Sequence, residues 1–455
     1  MPRRFIRVEP AEALRDGFDR IRREAGVPEA FSLEAEREAA AAAVQPPRGE
    51  RVDLPFVTID PPGSRDLDQA LHIERRGEGH RVSYAIADVG AFVRPGSALD
   101  RETHARGVTV YAPDRRTPLH PPVLSEGAAS LLPGEWRPAV LWTLDLDGAG
   151  ELAEAAVRRV QVRSAAQHTY ADVPPEVAEP LREVGERRLA LERARGGVRL
   201  ELPEQEVVRA GDGWATTYRV PLETEEHNAQ VSLLTGMAAA QLMLRAGVGI
   251  LRTQPAPEEK GLRRLRHVAE ALGVPWVEPY AEMIRSLDPA NPAHAAVLQE
   301  ATGVGHGAAY TAFDGAPPAD AMHFAIAAPY AHATAPLRRL QDRYVLAICL
   351  ATSAREPVPD HVHAALPSLP VAMAAATRRA RAVERGVVDL VEAVLLEGRE
   401  GERFEGLVID DEVVQLRDPA VRGRIEGRYP EPGTPVTVRL VRADPAARAV
   451  AFAVE

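Results

Sequence analysis

Residues 57–73 read VTIDPPGSRDLDQALHI. Val57–Ile59 is a short β-like run that ends at Asp60. Pro61, Pro62 and Gly63 then force a turn, Asp66 and Asp68 follow two apart, and an apolar alternation resumes at Ala70. A strand end, a tight loop and a second strand start would bring three carboxylates together. Like charges in one place repel and are costly to desolvate. A divalent cation removes that cost, and magnesium is commonly held by a few carboxylates together with water and substrate phosphate. A solvated turn is the alternative reading, because Asp beside Pro and Gly is common there.

Working outward, the chain is β-rich from residue 52 to about 165, where RVSYAIADV and AVLWTLDLDGAGEL alternate between glycine turns. From 222 onward it reads as mainly helical, with helices expected at 225–246, 258–272, 336–353 and 371–397. Strands followed by helices indicate an α+β domain with a mainly antiparallel sheet. Before it, Leu14, Phe18 and Ile21 recur at helical spacing and Ser32 is positioned to cap a second, alanine-rich helix to about Ala43. After it, FEGLVIDDEVVQL, GRIEGRY, TPVTVRLVRAD and AVAFAVE give five short strands, enough for a small closed OB-fold barrel. The expected division is 1–50 as a helical segment or helix-turn-helix, 51–397 as the main domain, and 400–455 as the barrel.

Composition bounds the function classes. With 45% hydrophobic and 27% charged residues in 455, the chain is ordinary for a soluble globular protein. No apolar run approaches membrane-spanning length, and the start MPRRFIRVEP lacks the apolar core of a secretory signal. Cys349 is the only cysteine, which excludes intramolecular disulfides and argues against a thiolate metal site. A cytoplasmic location, no membrane partner and a monomer are the expectations. The net charge of −11 does not exclude nucleic acid, since only the contact surface must be basic. Arginine clusters supply such surfaces at Arg378, Arg379, Arg381 and Arg385, and at Arg417, Arg422, Arg424 and Arg428 beside Tyr429.

These residues resemble a known family. TIDPPGSRDLDQAL, YAIADVGAFVRPGSALD and RGVTVYAPDRRTPLHPPVLSEGAASLLPG are similar to the catalytic RNB domain of ribonucleases II and R, and so are residues 323–344 (HFAIAAPYAHATAPLRRLQDRY) and 378–393 (RRARAVERGVVDLVEA). The likeness runs in order over about residues 52–397, and the C-terminal strands resemble the family's S1-like OB-fold. The resemblance implies an RNB-type α+β domain and a hydrolytic exoribonuclease that degrades single-stranded RNA from its 3′ end to nucleoside 5′-monophosphates. It implies Asp60, Asp66 and Asp68 as ligands of magnesium, or of manganese in its place, with Asp68 the most critical for catalysis. Tyr111 then matches the tyrosine that holds the 3′-terminal nucleotide, Arg338 the arginine on the scissile phosphate, and Glu384 a late catalytic glutamate. Arg378 and Arg381 would line the RNA path.

The sequence also departs from the family. Gln69 stands where the fourth motif aspartate is found; its oxygen could ligate a metal but brings no charge. In a regular strand Gln69 would face away from Asp66 and Asp68. Ala335 replaces a serine and Leu340 an aromatic, and residues 1–50 are too short for the cold-shock domains of the family. The competing reading is therefore a catalytically inactive RNA-binding relative. Asp88 ends an expected strand, where a place near the metals and a structural turn are equally open; Arg339 and Arg343 are expected as backbone contacts or salt-bridge partners, and His323 and His332 as packing or hydrogen-bonding residues rather than ligands.

Overall fold

The computed structural model describes residues 11–47, 49–200, 204–210, 213–219, 221–289, 291–305 and 307–455. Residues 1–10, the start of the expected helical segment, lie outside these. Helix α1 (Ala11–Glu24) buries Leu14, Phe18 and Ile21 on one face, as their spacing requires. Helix α2 (Leu33–Ala43) is capped by Ser32, whose hydroxyl accepts the Ala35 N–H at 3.2 Å.

Strands β1 (Arg51–Ile59), β2 (Gln69–Arg76) and β3 (Gly79–Ala87) follow, then helix α3 (Ala98–Arg106) and the short strands β4 (Val110–Tyr111) and β5 (Arg116–Thr117). Strands β6 (Trp136–Leu146) and β7 (Leu152–His168) complete a closed barrel in the order β1-β2-β3-β6-β7. Its pairs are antiparallel except β1 with β7, which is parallel. The register of β1 against β7 slips between Val52 and Phe56, where Pro55 has no N–H to donate. Both faces of β3 are buried, which is why VSYAIADV is almost continuously apolar. Val82, Tyr84, Ile86, Trp142 and Leu144 share one core cluster, while Ala85, Ala87, Ala139 and Leu141 share another with α2.

Helix α4 (Pro175–Ala194) and the hairpin β8 (Glu204–Ala210) and β9 (Gly213–Arg219) lead to helix α5 (Glu223–Ala246). After β10 (Val248–Thr253) come α6 (Glu259–Ala271), α7 (Tyr280–Arg285), α8 (Pro292–Thr302), β11 (Ala309–Asp314) and the two-residue strands β12 (Met322–His323) and β13 (Ala328–Pro329). Helices α9 (Leu340–Ala354), α10 (Asp360–Ala365) and α11 (Leu369–Leu396) close the main body. Helix α5 packs on α4, α9 and β10. Gly236 in α5 lets the chain between β13 and α9 approach closely: a Cβ there would stand 2.2 Å from the Tyr330 ring and 2.5 Å from the Ala331 carbonyl oxygen. Gly236→Ala is expected to cost about 1–3 kcal/mol, the usual range for overpacking. Urea denaturation measures it, and an unchanged midpoint would contradict this account of the packing.

The last strands, β14 (Arg403–Asp410), β15 (Val413–Leu416), β16 (Arg422–Glu426), β17 (Pro435–Asp444) and β18 (Ala449–Val454), form a second closed barrel in the order β14-β15-β16-β18-β17. Its one parallel pair is β16 with β18. The α+β class and the C-terminal OB-fold read from the sequence are thus found, with the main sheet closed into a barrel. Cys349 is buried in the main core. Among the described residues, no helix is long and apolar enough to cross a membrane.

Candidate active site

The acidic loop between β1 and β2 is held by its backbone. Ser130 donates its hydroxyl to the Arg65 carbonyl at 2.6 Å and accepts the Leu67 N–H at 2.9 Å. Leu131 N–H binds the Leu67 carbonyl at 3.0 Å, and Ala87 N–H binds the Asp68 carbonyl at 2.8 Å. Leu67, fully buried, anchors the loop in the core. Asp68 is thereby aimed inward and is 2% exposed.

Asp68 meets the arginine segment there. Its Oδ1 accepts the Leu337 N–H at 2.7 Å and its Oδ2 accepts Nε–H of Arg338 at 2.7 Å. Burial pushes the Asp68 carboxyl up to about 6, against the opposing pull of Arg338 and the Leu337 N–H. Asp68 with its neighbours raises the Arg338 guanidinium despite burial, so the arginine facing the carboxyl stays charged. Arg338 was expected on a helix beginning at 336, but the helix begins at Leu340. Pro336 disfavours helical backbone at Ala335, and Arg339 is extended at φ −132°, ψ 125°. Instead Thr109 N–H binds the Arg338 carbonyl, and Leu340 N–H binds the Gly107 carbonyl, both at 2.9 Å. Asp342 accepts the Ala335 N–H at 2.8 Å and pairs with Arg339 at 2.8 Å, closing the turn.

Asp66 is gripped from the other side. Tyr111 donates its hydroxyl to Oδ2 at 2.8 Å, and Arg116 donates from Nη1 to Oδ1 at 2.9 Å while also pairing with Glu126. The Tyr111 side chain remains 49% exposed. Its ring therefore offers an open aromatic face next to the carboxylates, while desolvation holds its hydroxyl protonated.

Asp60 completes the group. Its Oδ2 is buried with no hydrogen-bond partner among the described residues. Burial pushes its carboxyl up to about 7; Arg338 pulls it down, and Asp68 and Asp66 push it further up. Gln69 turns elsewhere: its amide donates to the Thr334 carbonyl at 2.7 Å, and its oxygen accepts the Tyr84 hydroxyl at 2.5 Å. Among the described residues no three carboxylates, imidazoles or thiolates converge as a preformed metal cage, since Asp66 and Asp68 are turned to arginines. The donor set nonetheless suits a hard divalent cation: oxygen ligands only, and an orphaned carboxylate oxygen on Asp60 short of positive charge.

Glu384, Arg378 and Arg381 lie on exposed positions of α11. Glu384 and Arg381 line a groove of about 1480 Å³ with Arg385, Arg422, Arg424, Arg442 and Arg448, between α11 and the second barrel. No described hydrogen bond or ion pair joins Glu384 to the aspartates. Asp88 is buried and pairs with Arg159 at 2.8 Å. Arg343 pairs with Asp100 at 2.5 Å. His332 binds the Tyr310 hydroxyl at 2.8 Å and is held neutral by burial and by Arg339 and Arg252. His323 is likewise pushed down by burial, to about 4. Sequence reasoning missed Arg116, which nothing in TVYAPDRRTP distinguishes from its neighbour Arg115.

Comparison with known proteins covers nearly the whole chain. The RNB domain family matches residues 48–352, and the RNase II-type exonuclease C-terminal S1 domain matches residues 402–455. Ribonuclease R of Escherichia coli is 29% identical over 318 residues, 64% of this chain and 38% of that protein. The chain thus spans well under half the length of that relative. The structure of Mycoplasma genitalium RNase R in complex with ribose-methylated single-stranded RNA superimposes with a TM-score of 0.87 at 18% identity, over 97% of this chain and 78% of that one. A yeast pseudonuclease shares the fold at a TM-score of 0.69 and 14% identity, over 95% of this chain and 57% of that one.

Proposed function

The chain belongs to the RNB family, and from that premise we propose that it is a 3′-to-5′ exoribonuclease that hydrolyses single-stranded RNA to nucleoside 5′-monophosphates. One observation carries the reading: buried Asp68 grips Arg338, while Asp66 beside it grips an exposed tyrosine. Carboxylates, a guanidinium and an aromatic face in one place are what positioning a phosphodiester at a chain end requires.

Asp60, Asp66 and Asp68 would hold magnesium or manganese. A bound divalent cation lowers the pKa of water and neutralises phosphate charge. Arg338, its Nε fixed by Asp68 and its side chain 40% exposed, stabilises charge developing on the phosphate oxygens. Tyr111 stacks on the terminal base, an interaction that tolerates any base and so suits degradation of any sequence. Arg378, Arg381 and the groove toward the second barrel carry the upstream backbone through phosphate contacts. Glu384 acts in that groove. Tyr111→Ala is expected to weaken binding of short RNA about 5- to 100-fold, the loss of one stacked base at roughly 1–3 kcal/mol. Fluorescence anisotropy reads it, and unchanged affinity would remove Tyr111 from the substrate site.

The cation has its own signature. A carboxyl raised in the folded state makes the protein lose stability as pH rises from about 4 to about 7, because the unfolded form ionises there while the folded form still holds its proton. A cation stabilises the ionised form, so its stabilising effect grows with pH. Magnesium should raise the melting temperature more at pH 8 than at pH 6, and Asp60→Asn should erase the difference. Equal shifts at both pH values, or an unaltered difference in Asp60→Asn, would contradict Asp60 as a ligand.

A second reading is an RNA-binding relative without turnover. It is favoured by Gln69, whose amide is committed to Tyr84 and Thr334. RNA carrying a 3′ label and a 5′ label in separate preparations distinguishes the two. Immediate release of the 3′ label as a mononucleotide supports the exonuclease; internal fragments, or intact RNA that is bound, contradict it.

A further inference from the structure

Helix α1 reaches the hairpin that carries Tyr111 through one buried side chain. Arg22 is 1% exposed and grips Asp114 with both terminal nitrogens, Nη1 to Oδ1 at 2.7 Å and Nη2 to Oδ2 at 2.8 Å. Nη2 also donates to Asp19 at 2.5 Å, and Asp19 accepts from Arg115 at 2.8 Å. Asp114 and Arg115 form the tip of the hairpin whose strands, β4 and β5, pair Tyr111 with Arg116. The tip is closed by Ala112 N–H on the Arg115 carbonyl at 3.2 Å. Tyr111 and Arg116 both end on Asp66. Charge-assisted hydrogen bonds thus tie α1 to the tip and the hairpin's strands to the acidic loop, with the hairpin backbone between them.

That line has mechanical consequences. Two-residue strands cannot hold a hairpin by themselves, and the exposed Tyr111 ring has its one described hydrogen bond at the hydroxyl. The ring's position is set by its hydroxyl on Asp66 and by the hairpin backbone, whose strand β4 packs Val110 into the core with α11 and whose tip is held by Arg22 and Asp19. Helix α1 is a firm base. Leu14, Phe18 and Ile21 share a core with Val383, Val387 and Leu390 of α11. Gly17 lies so close to α11 that a Cβ would stand 2.4 Å from Leu390. Glu24, at the far end, pairs with Arg448 of the second barrel at 2.6 Å.

We propose that Arg22 is a positioning residue for substrate binding: α1 holds the β4–β5 hairpin so that Tyr111 presents its ring to the terminal nucleotide. This rests on the reading of Tyr111 as a substrate-binding residue. Helix α1 then acts on the site through protein contacts.

The test uses the full chain with Arg22→Met, which keeps the apolar stem and removes the guanidinium fork, and Asp114→Asn as a milder second variant should the first fail to fold. On short single-stranded RNA, Arg22→Met is expected to raise KM about tenfold with kcat within about twofold, and to change neither further in a Tyr111→Ala background. Amide hydrogen exchange should quicken at residues 110–117. A KM effect of equal size with and without Tyr111, or unchanged exchange in the hairpin, would overturn the proposal. If the unaltered chain neither binds nor degrades RNA, the substrate-site reading fails, and exchange at 110–117 still decides whether α1 sets the hairpin.

Discussion

Asp68→Asn is expected to lower RNA hydrolysis by about a thousandfold or more while leaving RNA affinity within a few-fold of the unaltered chain. Asp68 performs two tasks with two oxygens, accepting the Leu337 N–H and the Arg338 Nε–H. Asparagine keeps one acceptor and turns an NH₂ group toward the other donor. The charge is lost, Arg338 is released, and a cation loses a ligand. Removing a single donor to a developing charge typically costs 10²–10³ in rate, and here a donor and a cation ligand fail together. RNA affinity should survive, because Tyr111 and the arginines of the α11 groove are untouched. A loss of binding as large as the loss of rate, measured by anisotropy beside single-turnover kinetics, would place Asp68 in folding rather than chemistry.

Arg338→Ala is expected to lower kcat about 10²- to 10³-fold, and Arg338→Lys should recover little of it. Lysine restores the charge but cannot donate to Asp68 through a side nitrogen while offering further donors to phosphate; the planar fork does both. The alanine variant also leaves Asp68 buried with an unpaired charge, so a moderate loss of stability should accompany it. Single-turnover rates on a short RNA decide the matter. A lysine variant within a few-fold of the original would mean that Arg338 contributes only a point charge.

Much of this site was legible in the sequence because its chemistry is local. Asp60, Pro61, Gly63, Asp66 and Asp68 lie within nine residues, and the prolines and glycine make a loop unavoidable. Other parts depend on distant partners. Ser130, which holds the loop backbone, lies 63 residues from Leu67 and resembles any other serine. The start of α9 was misplaced because helical periodicity continues back to Leu337, whereas the Gly107–Thr109 backbone draws Arg338 and Arg339 out of a helix. Helix α4 went unread because Pro180 and Gly185 interrupt PEVAEPLREVGERRLALERA. Pro180 lies early in that helix, and Gly185 is needed where a Cβ would strike His227 at 2.5 Å. The C-terminal strands were readable as a closed barrel, but the closure of the main sheet was not, because it depends on pairing between first and last strands, which no local pattern encodes.

The most direct measurement follows a 5′-labelled single-stranded RNA with magnesium, comparing the unaltered chain with Asp68→Asn. The account predicts a ladder that shrinks from the 3′ end and releases nucleoside 5′-monophosphates, absent in the variant although it still binds. Intact RNA with both proteins, and binding retained by both, would contradict it and leave an RNA-binding member of the family that has no turnover.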